Sequence, residues 1–438
     1  MKILIIDTYK NVPYRISKDT SGGYGTGNDF GNSIFTKFLK KNLKKIHDWP
    51  PMFAVYTLSV LSEKGHDVDF LNELPDDFEI YDLFIITSSI VCCETEIELI
   101  KKIKKRKNHI FAIGPFATNK PKIYFEAGAT VISGEPEFYF LQNNDFFKDL
   151  SKELIFINHN YELDDLPFPK WKNIIKDTKK VSMLFGNYST LPILATRGCP
   201  YSCFKYCVYP LQQGRKVRQR SPKKIVDEME YWKNNMNIQM FVFRDPVFSI
   251  NKKHTLEFAE ELINRKLNLK FIIETHLRIL DKELISILKR AGLKGVKVGV
   301  ESADAQVLID VDRFTIKKDA QYEKIRELEQ NKIQVSAMYI LGFPSDTETS
   351  MSNTINYAKK LNTTYAQFSV WTPYPGTPIF EKFKDKIFAK SYEQYDQYNL
   401  VYDHENLNEY QIREWLEKAY ENFYIRFGWF KKFILSFC

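Results

Sequence analysis

Short apolar strands alternate with amphipathic helices twice along this chain, and that rhythm confines it to layered α/β architecture more tightly than any other feature. The first run opens with KILII (residues 2–6), a buried strand. A loop rich in glycine and asparagine follows (residues 21–32). It resembles a phosphate loop only loosely, because it does not lead directly from strand to helix. Residues 52–64 carry helical apolar spacing with Gly65 as the cap, followed by a strand over 67–71. A strand over 82–87, a helix over 95–106, and strands over 110–113 and 130–132 complete an open parallel sheet spanning residues 1–140. Ligands on such sheets sit at the carboxyl ends of strands, which here carry Asp7, Ser88–Ser89, Gly114–Pro115 and Gly134–Glu135.

Residues 138–190 lack clean periodicity. DDLPFPKW (164–171) has the extended character that proline imposes, so 141–190 reads as a linker. From 191 the rhythm restarts. Strands fall at 191–196, 240–243, 270–274, 296–300, 334–341 and 365–371. Helices intervene at 221–234, 253–265, 281–291, 317–331 and 347–361, with Ser221 as N-cap and Pro222 at the first helical position. Six strands are too few for a closed eight-stranded barrel. Residues 191–380 therefore read as a partial (β/α)6 barrel with its site at the carboxyl ends of the strands. Residues 381–438 are helical and aromatic-rich. Their final stretch, FYIRFGWFKKFILSFC, reads as a helix packed on the barrel, with contact to a membrane surface as the other reading.

Composition narrows the function. The 438 residues include 63 Lys+Arg against 55 Asp+Glu, a formal charge of +8, and are 44% hydrophobic, which excludes intrinsic disorder. Six cysteines in so long a chain exclude a disulfide scaffold. The opening apolar run is too short for a signal peptide, and no stretch approaches the roughly 20 apolar residues that span a bilayer, so a cytoplasmic location with reduced thiols is expected. The lysine clusters at 37–45 and 101–107 alternate with apolar residues at helical spacing, which suits a solvated helix face better than a nucleic-acid patch.

Three of the cysteines, Cys199, Cys203 and Cys207, lie in the loop directly after the strand at 191–196. Thiolates are ligands for iron–sulfur clusters and for zinc. Structural zinc sites close with four ligands, and no fourth Cys or His lies within ten residues of this trio. Three thiolates leave an open metal position that suits a substrate or cofactor. Cys92, Cys93 and Cys438 have no assigned role.

This loop looks like the cluster-binding loop of the radical SAM superfamily, and further motifs extend the likeness to radical SAM proteins with an N-terminal cobalamin-binding domain. PPMFAVYTLSVLSEKGHDVDFL (50–71), AIGPFAT (112–118) and ISGEPE (132–137) are similar to that domain, and ELDDLPFPKW (162–171) to the family linker. FVFRDPVF (241–248), GVES (299–302), MYILGFPSDT (338–347) and TPYPGTPIF (372–380) resemble the later barrel segments. The chain departs in three places. One extra residue separates Cys203 from Cys207. Met338 replaces the first glycine of a Gly-x-Ile-x-Gly motif whose Ile340 and Gly342 match. The Asp-x-His-x-x-Gly sequence that supplies an axial histidine is absent, and neither His47 nor His66 fits that role.

The resemblance implies a [4Fe–4S] cluster on Cys199, Cys203 and Cys207, with its fourth iron chelated by S-adenosylmethionine. Reductive cleavage would give methionine and a 5′-deoxyadenosyl radical. Arg244 and Asp245 then occupy the place for the cofactor's amino group, Glu301 for ribose or amino groups, Arg313 for the methionine carboxylate, Tyr206 and Ile340 the adenine side, and Gly342 a further cofactor-binding position in its motif. Cobalamin, if bound, implies methyl transfer to an unactivated carbon or phosphorus of a small-molecule, natural-product, lipid or saccharide-type substrate. A flavodoxin or ferredoxin would supply electrons. Two rivals remain: a cobalamin-independent radical enzyme (rearrangement, cyclisation or methylthiolation), and an RNA-binding module stapled by zinc.

Overall fold

The computed structural model describes residues 1–44, 49–106, 109–157, 161–175 and 188–435. Lys45, His47, Lys107, Cys438 and residues 176–187 of the linker lie outside the described residues. Two six-stranded sheets dominate, both wholly parallel. The first runs in the order Asp67–Leu71, Lys2–Ile6, Leu83–Thr87, His109–Ile113, Thr130–Ser133, Leu154–Phe156. Its central strands are buried along nearly their whole length, which is why they read as continuous apolar runs. The edge strand Leu154–Phe156 falls in the stretch without periodicity: three residues are too few to show any.

The strand order reverses between Lys2–Ile6 and Leu83–Thr87, and a crevice opens at such a point. Here the chain fills it. After the first strand the backbone doubles back through a short hairpin, Ile16–Ser17 against Thr26–Gly27, and drives Lys18 into the crevice. The Lys18 ammonium lies 2.8 Å from Glu96 and 3.3 Å from Asp7, and donates to the Thr87 carbonyl at 3.1 Å, with its side chain fully buried. The strand ends at Asp7 and Ser88–Ser89 are therefore closed by the protein's own cation. Lys18→Met leaves two buried carboxylates without their counter-ion, so we expect a loss of about 3–5 kcal/mol, read as earlier denaturant unfolding of the N-terminal sheet by hydrogen exchange.

The second sheet takes its strands in sequence order: Thr190–Ile193, Met240–Phe243, Lys270–Glu274, Leu293–Glu301, Gln334–Leu341 and Tyr365–Val370, with first and last unpaired to one another. This is the expected partial barrel. In the fourth and fifth strands, fully buried residues alternate with half-buried ones, among them Lys297, Gly299, Glu301, Met338 and Ile340. Ser221 caps the first barrel helix (Pro222–Met236) by accepting the Lys224 amide, as its position before Pro222 predicts. The long C-terminal helix Glu409–Tyr424 closes against the sixth strand, where the Tyr420 and Tyr424 hydroxyls donate to the carbonyls of Phe368 and Ala366. Among the described residues no helix is long and apolar enough to cross a membrane.

Candidate active site

The cysteine loop leaves the first barrel strand through a corner fixed by Asp245. That carboxylate is fully buried and accepts the Ala195 amide at 3.1 Å and the Thr196 amide as well. Burial raises its pKa to about 7 against the pull of those hydrogen bonds. The sequence reading assigned Asp245 to the cofactor's amino group; the structure commits its oxygens to backbone. Arg244, assigned beside it, pairs with Asp19 at 2.9 Å and donates to the Asp19 carbonyl. Asp19 belongs to the glycine-containing loop of the N-terminal sheet, so Arg244 joins the two units.

Gly198 then turns the chain with φ +87, and a Cβ there would overlap the Lys216 carbonyl. Cys199, buried, follows. Ser202–Lys205 forms a 3₁₀ turn in which the amides of Tyr206 and Cys207 both donate to the Cys203 carbonyl, at 3.1 and 2.9 Å. The extra residue between Cys203 and Cys207 is absorbed in that turn. It sets the two cysteines four apart, the separation that stacks side chains on one helical face, and brings the Cys207 thiol close enough to influence the titration of Cys203. Ser202 and Lys205 stitch the loop to Asp312, through its carbonyl and its carboxylate respectively.

Asp312 delivers Arg313. Its guanidinium lies 3.8 Å from the Cys203 sulfur and 3.0 Å from the Glu301 carboxylate, and donates to the Gly299 carbonyl at 3.3 Å. Glu301 reaches it because the fourth strand shifts register after Gly299 and Glu301 adopts φ +65, a left-handed conformation rare for a side chain of its size. Gly299 leaves the space: a Cβ there would sit 2.5 Å from Glu301 and 2.7 Å from Arg313. The Cys207 thiol's hydrogen bond and the Arg313 charge lower the Cys203 pKa to about 7, burial raises Cys199 to about 11, and Cys207, hydrogen-bonded to Cys203 and buried, lies well above its ordinary value. Tyr206 packs edge-on to Phe343, its ring centroid 6.2 Å away.

The structure thus gathers Cys199, Cys203, Cys207, Tyr206, Glu301 and Arg313 at the barrel mouth. Ile340 stays half-buried along its strand. Gly342 is held by the C-terminal region: the Tyr402 hydroxyl donates to its carbonyl at 3.1 Å. Among the described residues no three groups converge on a single metal ion. A [4Fe–4S] cluster does not require that, because each thiolate takes a different iron. Three cysteines in one loop, two in contact and one beside a guanidinium, fit such a cluster with its fourth iron open.

Sequence reasoning did not find several neighbours. His276, just past the third strand, packs near Tyr201 and Phe314; burial and Arg313 lower its pKa to about 4, so it faces the site neutral. Lys297, on the inner row of the fourth strand, makes no ion pair among the described residues, and burial lowers its pKa to about 8. Its alternation with buried valines was the available signal. Arg197 and Arg218 meet the sheet's Glu135, at 2.5 and 2.6 Å, and Arg197 also pairs with Glu137.

Between the carboxyl edge of the first sheet and the barrel mouth lies a small cleft walled by Asp19, Gly22–Gly23, Met52–Phe53, Glu135, Arg197, Tyr209, Gln212–Gln213 and Arg244. The polar groups suit the amide rim of a corrinoid in kind. The loop that narrows the cleft is pinned, because Tyr24 is fully buried against Phe116 and Tyr374 and donates to the Pro375 carbonyl at 2.9 Å.

A three-thiolate loop at the mouth of a six-stranded partial barrel defines an iron–sulfur enzyme. Residues 193–358 match the model of the radical SAM superfamily. It is 24% identical to an uncharacterized methyltransferase of Pyrococcus horikoshii, over 86% of this chain and 88% of that one. It is 26% identical to the bacteriochlorophyllide d C-12(1)-methyltransferase of Chlorobaculum tepidum, over 84% and 79%. Among solved structures it is similar in fold to the radical S-adenosylmethionine methyltransferase TsrM of Kitasatospora setae, determined with cobalamin and a [4Fe–4S] cluster bound. That match has a TM-score of 0.62 at 17% identity and covers 88% of this chain and 78% of that one.

Proposed function

We propose that this enzyme is a cobalamin-dependent methyltransferase acting on an unactivated carbon or phosphorus of a small molecule. The carrying observation is the cysteine loop at the barrel mouth beside Arg313 and Glu301. The methyltransferases similar in sequence and fold over most of the chain support the group transferred. When bound, the cluster and S-adenosylmethionine supply an electron and a sulfonium whose cleavage yields methionine and a 5′-deoxyadenosyl radical. The chain's own residues hold the site for it. Cys199, Cys203 and Cys207 ligate iron; Arg313 favours the Cys203 thiolate and, released from Glu301, offers a fork for the methionine carboxylate; Glu301 is then free for ribose or amino groups. Arg244 and Asp245 act through positioning, the first across the two units and the second at the loop's corner. A ferredoxin or flavodoxin would deliver the electron, in the cytoplasm, where the thiols stay reduced.

One observation favours a second reading within the same class. The crevice of the first sheet is filled by Lys18, as in an enzyme that performs its radical chemistry without cobalamin. Anaerobic reconstitution separates the readings. Iron, sulfide and 5′-deoxyadenosine after dithionite reduction are expected under both, and stoichiometric zinc without iron would overturn both. Corrinoid absorption co-eluting with the protein is expected for the methyltransferase, and none after incubation with excess cobalamin would exclude it.

A further inference from the structure

Among the large apolar side chains exposed on the described surface, Ile34 (91% exposed), Phe38 (65%) and Ile425 (55%) line one groove, and Phe427 (84%) and Phe430 (51%) follow Ile425 on the next helix. They come from two elements far apart in sequence, the helix Ile34–Leu43 and the segment that runs from Ile425 into the helix Phe427–Leu435. A groove lined by Ser33, Ile34, Phe35, Phe38, Glu421 and Ile425 joins the two elements. The inner sides are fixed. Phe35 packs on Tyr424, Trp429 packs on Tyr424 with centroids 4.9 Å apart, and the Trp429 indole donates to the Thr364 carbonyl at 2.9 Å. The exposed rings are the leftover faces of two anchored helices, and exposed apolar surface on this scale marks an interaction site.

The rim identifies the occupant. Lys37, Lys41 and Lys431 are exposed beside the rings and make no ion pair among the described residues. Against them the groove holds one carboxylate, Glu421; Glu417 is engaged on the Asn32 and Ser33 amides, and Lys40 on Asp29. A second copy docking through the same patch would set lysines against lysines. A surface of anionic headgroups over hydrocarbon matches both components. We infer that this face seats the enzyme on an anionic lipid surface, with Ile34, Phe38, Phe427 and Phe430 entering the headgroup layer and the three lysines meeting phosphates. The groove is lined by none of the residues gathered at the barrel mouth, so the inference stands or falls apart from the chemistry.

The test is co-sedimentation of the full chain with vesicles of phosphatidylglycerol mixed into phosphatidylcholine, and with pure phosphatidylcholine. Binding to the anionic vesicles is expected, weakening as salt rises from about 0.1 M to about 1 M and the Debye length falls from about 10 Å to about 3 Å. Phe427→Ser and Phe38→Ser should each weaken it about tenfold or more, and Lys37→Glu with Lys41→Glu should remove the preference for anionic lipid. All four positions are exposed, so iron content and 5′-deoxyadenosine formation should be unchanged and report folding. Absence of vesicle binding by the cluster-loaded protein would overturn the inference, as would a lipid-free dimer that Phe427→Ser dissolves.

Discussion

Replacing Cys203 by alanine is expected to abolish the iron–sulfur cluster and reduce 5′-deoxyadenosine formation to background, and Cys199→Ala and Cys207→Ala should do the same. The physical case is strongest for Cys203. The neighbouring Cys207 thiol and the Arg313 guanidinium 3.8 Å away lower its pKa to about 7 and so favour the thiolate, the form that ligates metal. Removing it leaves two thiolates for an assembly that needs three, and leaves Arg313 with only Glu301 and the Gly299 carbonyl. Anaerobic reconstitution followed by iron and sulfide analysis, the cluster's visible absorption and product analysis checks the outcome. Cys92→Ala and Cys93→Ala are the matched controls. Both thiols are buried in the N-terminal core, and burial raises the Cys92 pKa to about 11, so these variants should keep full iron content. Retention of iron and of 5′-deoxyadenosine formation by Cys203→Ala would refute the ligand assignment.

What the sequence made legible, and what it did not, divides by the distance over which a pattern must be read. Both sheets could be read because a fully buried parallel strand is a continuous apolar run, as in Leu83–Thr87, and because each barrel helix carries its own start signal, as at Ser221. The cysteine loop could be read because its three thiols and the strand before it are local. Pairings between distant residues could not. Arg244 meets Asp19 across 225 positions and Arg197 meets Glu135 across 62, and nothing in spacing or composition links such partners. The same limit applies at the first sheet. Asp7 and Ser88–Ser89 are correctly placed at strand ends, where a ligand would be expected, but Lys18 returns from eleven positions beyond Asp7 to fill the crevice between them. Asp245 carries the same lesson at short range: its position suggests a cofactor contact, while its oxygens satisfy the amides of a corner that any such barrel must turn.

Glu135→Ala should be the most damaging single change outside the cysteine loop. Its two oxygens hold Arg197 at 2.5 Å and Arg218 at 2.6 Å, and all three side chains are at most 8% exposed. Arg197 directly precedes Gly198 and Cys199, so this carboxylate of the first sheet fixes the entry to the cluster loop in the second. Alanine leaves Arg218 with the Gln213 carbonyl and Arg197 with Glu137, so that of the two buried guanidiniums only Arg197 keeps a carboxylate. Breaking a buried pair in this way costs about 3–5 kcal/mol. We expect that cost to appear locally, as faster hydrogen exchange over residues 195–200 and 132–137, and to lower iron incorporation without altering any ligand. Glu135→Gln keeps hydrogen-bond acceptance and loses the charge, so it should fall between wild type and alanine. Arg218→Met removes only one of the two contacts and should spare the loop more than Arg197→Met, which also strands Glu137. If Glu135→Ala assembles its cluster normally and exchanges no faster at 195–200, the two units are not coupled through this carboxylate, and the cysteine loop owes its shape to Asp245, Gly198 and Asp312 alone.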